Sequence, residues 1–550
     1  MKSSSRSDTS KWLATVASIW IQCTCGASYA FGIYSPVLKS TQGYHQSTLD
    51  TVSVFKDIGA NAGILSGMLY AAITAGGETT HPRRGPWLVH AAGVVQCFVG
   101  YFFMWLAVTG AIPRPPVWVM CLFMFLGAHA QTFFNTANVV TAVHNFPQYN
   151  GTVVGIMKGF LGLSGAVLVQ VYYTCFRGKQ TTFLLMLALL PSILTVLLMF
   201  LVKINDTPTR DVKKHLNSFS WVSIIIASYL TFLIIMEDVI TLPRLVQMCL
   251  LVVLFLLLSS PLGIAIRAQK QDSQRLLASS STTPLLNDYV ASADTEKLLA
   301  TDGGMNRSTT ISDGVSSEDL LALEKDMNVI QAIGSMNFWL LFVAMMCGMG
   351  SGLATINNIS QIGESLGYTM AETSALVSLW SIWNFLGRFI AGFMSDVLLH
   401  KKGWPRPIFI CGTLVTMSIG HMVIASGFPG NLYVGSVLVG ISYGAQWSLM
   451  PTITSDIFGV KNMGTIFNTI SVASPVGSYM FSVQAIGEIY DRETSGEDNA
   501  CYGTHCFMLS FFILASVSLS GSLVALVLFF NTKSYYTRVV IRRLRRAAKQ

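Results

Sequence analysis

Apolar residues in this chain fall into long blocks that are separated by polar stretches. Each block is about 20 residues long, the length at which an α-helix crosses about 30 Å of hydrocarbon. Helices are favoured because each backbone N–H then finds its acceptor within its own segment. The alternating strands of a membrane barrel do not appear. The pattern therefore predicts an all-α membrane protein with about 12–14 transmembrane helices. The blocks lie near residues 12–34, 52–75, 87–108, 116–140, 151–174, 183–203, 219–236, 245–266, 336–358, 373–396, 407–427, 431–453, 464–486 and 507–530.

These blocks divide the chain into two groups of six helices, with a helix pair and a polar linker between them. The linker is rich in Ser, Thr, Asp and Gly and poor in aromatic residues, which predicts disorder. The helix pair either spans twice or forms a re-entrant hairpin. The predicted units are a cytoplasmic N-terminus 1–11, an N-terminal six-helix bundle 12–203, the additional pair 219–266, a disordered cytoplasmic linker 267–331, a C-terminal six-helix bundle 336–530 and a basic cytoplasmic tail 531–550.

Composition and charge placement agree with this topology. Hydrophobic residues make up 52% of the 550 residues and charged residues 11%, whereas soluble proteins carry about a quarter charged residues. With a cytoplasmic N-terminus and fourteen spans, most Lys and Arg fall on the cytoplasmic side, as the positive-inside rule requires. Both termini are then cytoplasmic, in the plasma membrane or a vacuolar or endosomal membrane. The net charge of +8 is thus a topology signal, and nucleic acid is not an expected partner. The inside set includes Arg83, Arg84, Lys203, Arg210, Lys213, Lys214, Lys401, Lys402, Arg406, Arg538, Arg542 and Arg543.

The two six-helix groups share short in-register sequences. Gly43-Tyr44 follows the first span of one half and Gly367-Tyr368 follows the first span of the other. At the fifth span of each half, Asn150-Gly151-Thr152 corresponds to Asn462-Met463-Gly464-Thr465. Such repeats indicate duplicated halves, a common plan among transporters.

One motif predicts a gating contact. Gly387 and Gly392 lie in a predicted span that ends at Asp396, and Lys401, Lys402, Gly403 and Arg406 follow in a short turn. An acid at a helix end with bases across the turn suits an ion-pair latch, and the glycines allow close helix approach. The alternative is a plain helix end with topogenic charges.

The motif resembles the loop signature of the major facilitator superfamily. The match is good in the second half and poor in the first, where the stretch from Gly67 to Ala72 has no acid. More narrowly, the chain resembles the plant nodulin-like branch, which is related to oxalate/formate and monocarboxylate carriers. The stretches that carry this resemblance are Trp12–Ala17, Tyr29–Ser35, Arg83–Pro86 and Asn150–Gly159. The resemblance implies two six-helix bundles in the major facilitator fold, secondary transport by alternating access, and anions as the leading substrate class.

Two cations lie inside predicted spans. Lys158 is seven residues past Gly151 and Arg388 is eight residues before Asp396, so both lie about 10–12 Å deep. A buried cation costs roughly 2.5–3.5 kcal/mol or more, which calls for a partner or a function. In the related carriers an arginine at the position of Arg388 contacts the substrate carboxylate. Alternatively, Lys158 snorkels to the interface and Arg388 only ties helices together.

Polar and aromatic residues on the predicted lining helices are further candidates for substrate contact. The alternative is that each stabilises helix–helix packing. No acid stands out within a span; Lys56-Asp57 and Glu237-Asp238 lie near predicted span ends, where an interfacial position is expected. The candidates are Tyr29, Tyr34, His129, Gln131, Asn135, Asn138, Asn357, Asn358, Tyr443, Gln446 and Trp447.

The remaining motifs concern loops. Cys501 and Cys506 flank a polar loop and form a disulfide if it faces an oxidising compartment; a metal site with His505 is the weaker alternative. Leu298 and Leu299 end an acidic dileucine pattern, which predicts a sorting adaptor as partner.

Nothing in the sequence predicts catalysis. No nucleophile–base set, metal cluster or phosphate-binding loop appears, so neither an enzyme nor a cofactor is predicted. The sequence predicts a secondary transporter of a small anion, embedded in the lipid bilayer. The alternatives are a carrier of a non-anionic solute, or a transporter-like receptor or scaffold that signals through the linker.

Overall fold

The computed structural model describes residues 10–74, 85–176, 180–205, 211–240, 242–293, 326–493 and 501–547. All regular structure in these ranges is helical. Eleven of the helices described are long and apolar enough to cross a membrane by length and composition. The fold is therefore the predicted all-α membrane fold. Arg83, Arg84, Leu298 and Leu299 lie outside the described residues, and so do residues 294–325 of the predicted linker and the first nine residues.

The N-terminal bundle contains every block predicted for residues 12–203, two of them interrupted. The first block breaks between Gln22 and Phe31, around the 3₁₀ turn Ala27–Ala30, and the second breaks at Ala62 and Gly63. The helices are α1 Lys11–Gln22, α2 Phe31–Gln42, α3 Gln46–Asn61, α4 Ile64–Thr74, α5 Trp87–Thr109, α6 Val117–Asn145, α7 Asn150–Phe176 and α8 Gln180–Leu198.

The additional pair α9 Val212–Val239 and α10 Arg244–Ala293 packs against α1 and α7 of this bundle. Gln170 Nε2 donates to Glu237 Oε1 at 2.8 Å, close to the last turn of α9. Near the first turn of α9, Asp211 accepts a 2.7 Å hydrogen bond from Arg275, far along α10. The two contacts lie at opposite ends of α9, so both helices run along the bundle.

The helix α10 also corrects the predicted start of the linker at residue 267. Residues 267–293 continue α10 instead of being disordered. Tertiary contacts hold the first part of this extension: Trp12 Nε1 donates to Asp272 at 3.0 Å, and Arg275 pairs with Asp211. The short helix α11 Val329–Ile333, with a capping box at Asn328, likewise begins inside the predicted linker.

The C-terminal bundle repeats the architecture of the first, and one of its spans is irregular. The block predicted at residues 464–486 passes from α-helix into the π-helix Met480–Gly487. After this span, Cys501 forms a disulfide with Cys506, which lies in the first turn of the last long helix. The helices are α12 Met336–Ser365, α13 Met370–Lys402, α14 Pro407–Ala425, α15 Asn431–Phe458, α16 Met463–Ser471, α17 Ala473–Tyr479, α18 Glu488–Glu493, α19 His505–Tyr535 and, after the π-helix Tyr536–Val540, α20 Ile541–Ala547.

The two bundles meet along two helix pairs, α7 with α13 and α4 with α16. Both crossings depend on glycine. A Cβ at Gly392 of α13 would collide with the carbonyl oxygen of Gly151 on α7, and a Cβ at Gly67 of α4 would collide with the backbone of Thr465 on α16. Backbones this close leave no room for side chains, so the bundles are in direct contact at one end of the molecule.

Candidate functional site

A cavity of about 1190 Å³ lies between the two bundles. At one end, the open end, its lining reaches the exposed residues Glu364, Glu488 and Asp491. At the other, the closed end, the bundles meet through the buried side chains Asn150, Asp396, Arg406 and Asp456. The cavity is thus accessible from one side of the protein only.

Arg388 lies in the cavity wall and joins the two bundles. Its side chain is 1% exposed. Nη1 donates to the carbonyl oxygen of Lys158 at 2.8 Å, and Nη2 donates to the hydroxyl of Tyr29 at 3.1 Å. Within its own helix, Nε donates to Asn384 Oδ1 at 2.9 Å. The guanidinium is therefore fixed in position, and the three groups that accept its hydrogen bonds are all neutral.

Lys158 lies beside Arg388 in the cavity wall, on α7 of the other bundle, and is 2% exposed. Its Nζ lies 5.1 Å from the ring centre of Trp447 and 5.3 Å from that of Phe467, both on the other bundle. Aromatic faces attract a cation without neutralising it. Across the described ranges, no carboxylate lies within ion-pair distance of either Lys158 or Arg388. Two buried positive charges thus face one cavity.

Of the other predicted contact residues, Asn135, Asn357 and Tyr443 also line the cavity. So do Tyr29, Gln131, Asn358 and Trp447.

Four predicted contact residues lie inside the bundles instead, away from the cavity. Tyr34 packs on Tyr101 and Phe183. The other three residues each contact another helix or turn of their own bundle. His129 contacts Gln96 Oε1 at 2.7 Å and the Ala62 carbonyl oxygen at 3.0 Å, Asn138 contacts His90 at 3.0 Å, and Gln446 lies against Met417 Sδ. These residues tie helices together, the alternative expected for isolated polar residues in spans.

Several lining residues were not predicted from the sequence. Asn384 was detectable, because it precedes Arg388 by four residues and so lies on the same helix face. Trp380, Phe467 and Ser471 carry no comparable signal, since they resemble ordinary core residues until the bundles are assembled.

Lys56 and Asp57 were expected at the interface, but they line the cavity wall. The expectation is wrong because α3 begins at Gln46, well before the predicted block, so both residues lie inside the helix and not near its start. Lys56 Nζ lies 3.1 Å from Asp57 Oδ1.

At the closed end, a charged seam formed by Asn150, Asp396, Arg406, Asp456 and Tyr536 crosses between the bundles. Arg406 Nη2 donates to Asp396 Oδ1 at 2.5 Å, and Nη1 donates to Asp456 Oδ2. Asn150 Oδ1 accepts from Arg406 at 2.8 Å, and Asn150 Nδ2 donates to Asp456 Oδ1 at 2.9 Å. The hydroxyl of Tyr536 donates to Asp456 Oδ2 at 2.9 Å. The Arg406 guanidinium therefore binds two carboxylates of its own bundle and, through Asn150, contacts the opposite bundle.

Asp396 also caps the first turn of α7. Its carboxylate accepts from the backbone N–H groups of Gly151 and Thr152 at 3.1 and 2.6 Å, and from the Thr152 hydroxyl at 2.7 Å. An acid at a helix N-terminus is favoured by the helix dipole. The ion pair predicted from the motif is thus present with Arg406, whereas Lys401 is exposed and takes no part in it. Gly387 packs α13 against Ile441 of α15 inside one bundle, while Gly392 lies at the crossing with α7.

The second crossing, a neutral seam, consists of Ser66, Gly67, Thr136, Gly464 and Asn468. Asn468 Nδ2 lies 2.8 Å from Thr136 Oγ1 and 3.5 Å from Ser66 Oγ. The hydroxyls of Ser66 and Thr136 are 2.7 Å apart. The acid that the first-half motif lacks is thus replaced by glycine packing and uncharged hydrogen bonds.

A cavity between two repeated bundles, closed at one end, defines a membrane transporter of the major facilitator fold. Two solved structures share this fold. The proton:xylose symporter XylE superposes with a TM-score of 0.52 at 12% identity, over 93% of this chain and 94% of that one. A bacterial homologue of the iron transporter ferroportin in its outward-facing state gives 0.52 at 10% identity, over 95% and 98%.

Sequence comparison gives the family. Residues 11–266 match the Nodulin-like family, and residues 322–538 match the family described as NFD4, C-terminal domain. NUCLEAR FUSION DEFECTIVE 4 of Arabidopsis thaliana is 26% identical over 96% of this chain and 90% of its own length. The chain belongs to the nodulin-like branch of the major facilitator superfamily.

More distant relatives carry the name probable transporter, and they align over a smaller part of their length. The probable transporter MCH1 of Yarrowia lipolytica is 27% identical over 28% of this chain and 34% of its own. The probable transporter mch1 of Neurospora crassa is 27% identical over 32% and 36%. These proteins and the fold neighbours are transporters, not enzymes.

Proposed function

We propose that this secondary transporter carries a small organic or inorganic anion by alternating access. The observation that carries the proposal is the pair of buried cations, Lys158 and Arg388, which face one cavity from opposite bundles without a carboxylate partner among the described residues. Burying a charge without a counter-charge is costly, so an anion that binds between the two stabilises both.

The geometry suits recognition of a carboxylate or another oxyanion. Arg388 is held by Asn384, Lys158 and Tyr29, which use one N–H each from Nε, Nη1 and Nη2. A guanidinium has five N–H donors, so two remain for a ligand, and arginine grips oxyanions through parallel hydrogen bonds. Lys158 supplies a second charge from the neighbouring helix α7 of the other bundle. Aromatic residues around both exclude water and strengthen the attraction.

Alternating access then requires the bundles to separate at the closed end and approach at the open end. The charged seam and the neutral seam are the contacts to be broken. In this proposal Asp396, Arg406 and the glycines at the crossings act as the gate, and the anion offsets the repulsion between Lys158 and Arg388 as the cavity narrows.

The test is uptake by proteoliposomes that contain the full chain, with radiolabelled formate, oxalate, lactate and inorganic phosphate as probes and xylose as the neutral comparison. Arg388→Ala and Lys158→Ala should each reduce anion uptake about 10–100-fold, the range for a lost charge-assisted hydrogen bond. Lys461→Ala, an exposed cation outside the cavity, is the matched control.

Wild-type flux of xylose with no flux of any anion would overturn the anion proposal. So would Arg388→Ala and Lys158→Ala proteins that fold normally, as judged by size-exclusion profile and thermal unfolding, and still take up anions at the wild-type rate.

A further inference from the structure

Lys56 and Asp57 form an ion pair in the part of the cavity wall that α3 contributes. Their side chains are only 10% and 23% exposed, so the pair belongs to the cavity wall and not to the outer surface. Lys56 Nζ also lies 4.8 Å from the ring centre of Phe31. Asp57 is eleven residues past Gln46, which places it about 16 Å along α3 from the open end.

Sequence spacing alone does not produce this contact. Consecutive residues on an α-helix do not face each other, since they point about 100° apart. Both side chains must therefore bend toward each other inside the cavity wall. The pairing is a response to burial, because each charge lacks bulk water and the other is its nearest opposite charge.

The charged and titratable groups around Asp57 come from several elements. Tyr34 on α2 and Tyr443 on α15 lie within electrostatic range of its carboxylate. His129, on α6 which packs against α3, is held by Gln96 and the Ala62 carbonyl. Tyr29, Lys158 and Arg388 share the cavity. Among the described lining residues of the N-terminal bundle, Asp57 is the one carboxylate, and the other lining acids lie at the open end on the C-terminal bundle.

We propose that Asp57 is a proton-binding site that couples protons to the anion, with Lys56 as the group it releases. This inference rests on the proposed anion transport. With Asp57 ionised, Lys56 is neutralised by its neighbour and the cavity holds the two unpaired cations Lys158 and Arg388. A proton from the open-end solution that binds the Asp57 carboxylate leaves Lys56 as a third unpaired cation.

The consequence is reciprocal coupling. An added positive charge in a cavity of low dielectric strengthens anion binding, and by linkage the bound anion strengthens proton binding by the same factor. Coupling of this kind is typically about 5–150-fold in affinity. The proton and the anion then enter the closed cavity together, and an inward proton gradient drives anion accumulation.

Three variants of the full-length protein in proteoliposomes test the inference, with the anion probes named above. Asp57→Asn mimics the protonated acid: anion affinity should become high and independent of pH, counterflow exchange should persist, and accumulation driven by a proton gradient should be lost. Lys56→Gln should lower anion affinity about 5–150-fold and keep its pH dependence, because Asp57 still loses its negative charge on protonation. Glu493→Gln, an exposed acid beyond the open end, should behave as the wild type.

The opposite changes in affinity separate coupling from a structural role, which would impair both variants alike. Asp57→Asn protein that still accumulates anions under a proton gradient would overturn this inference alone. So would an Asp57→Asn protein inactive in counterflow, since exchange needs no proton step. Wild-type protein that moves xylose and no anion would overturn the proposed function as well, which distinguishes the two failures.

Discussion

The two seams at the closed end occupy corresponding positions in the repeated halves, yet they hold the bundles together by different chemistry. The charged seam surrounds one buried guanidinium with two carboxylates, an amide and a helix N-terminus. The neutral seam has no charged member: Gly67 packs on Gly464 and Thr465, and Asn468 reaches Thr136. Duplication of the bundle has thus preserved the crossing geometry and not the interactions.

The difference bears on how the closed end opens. Separation at the charged seam exposes charges that were paired, and water solvates them once the gap admits it. Separation at the neutral seam exposes small residues and a few hydroxyl and amide groups, which water satisfies at little cost. We expect the charged seam to contribute most of the stability of the closed end. At the neutral seam, we expect close packing to be what opposes separation of the bundles.

The largest effect is expected from Arg406→Ala, which leaves Asp396 and Asp456 buried without their shared cation. Breaking a buried ion pair from one side costs about 3–5 kcal/mol in free energy of unfolding. Denaturant titration in micelles measures it. Lys401→Ala, exposed in the same turn, should change stability by less than about 0.5 kcal/mol. Equal losses of unfolding free energy in the two variants would show that the charged seam makes no specific contribution to stability.

Tyr536→Phe removes one hydrogen bond to Asp456 and leaves the ion pairs in place. A hydrogen bond to a charged group contributes about 1.5–3 kcal/mol, and the loss should appear in the same titration. Tyr502→Phe, at an exposed hydroxyl, is the control. If removal of the Tyr536 hydroxyl has no effect, the C-terminal π-helix does not stabilise the charged seam.

On the neutral side, Gly67→Ala forces a methyl group against the backbone of Thr465. Overpacking of this kind costs about 1–3 kcal/mol. Since the strain exists only while the closed end is shut, the variant should also increase solvent access there, measured by hydrogen exchange of residues 463–471. Gly412→Ala, where a Cβ meets open space, should leave both quantities unchanged or slightly improved.

The smallest effect is expected from Asn468→Ala, which removes the uncharged hydrogen bonds of the neutral seam. The expected loss in free energy of unfolding is about 1 kcal/mol. A double-mutant cycle with Thr136→Val isolates the contact, and its coupling energy should not change with salt. A salt-dependent coupling, or one as large as the loss from Arg406→Ala, would contradict the contrast between the seams.

Much of the fold could be predicted because its signals are local. Every described helix that is long and apolar enough to cross a membrane coincides with a predicted apolar block. The Asp396–Arg406 pair was predictable from ten residues of sequence, since an acid at a helix end and a base across a short turn lie close in any packing. Breaks in the helices were harder. The turn at Ala62 and Gly63 has no proline and is held by His129 and by close contact with Asn468, so its cause lies on other helices.

In the candidate site, too, local features could be predicted and those that depend on other helices could not. Lys158 and Arg388 were recognised from sequence alone, because a cation in an apolar block is unusual wherever it points. Tyr34, His129, Asn138 and Gln446 were assigned to the cavity on helix identity, and each helix has faces turned both to the cavity and to its own bundle. Which face a residue occupies depends on the rotation of the helix, which packing fixes.

By itself, then, the sequence determined that the chain is a bundle of membrane helices with repeated halves, two intramembrane cations and one local ion pair. Only the tertiary structure decided what those groups meet: that Asp396 caps a helix 244 residues away in sequence, that Lys56 and Asp57 line the cavity, and that one seam is charged while its counterpart is neutral. The reason is physical. Hydropathy and spacing report the burial and reach of a residue, whereas its partner is set by contacts between distant segments.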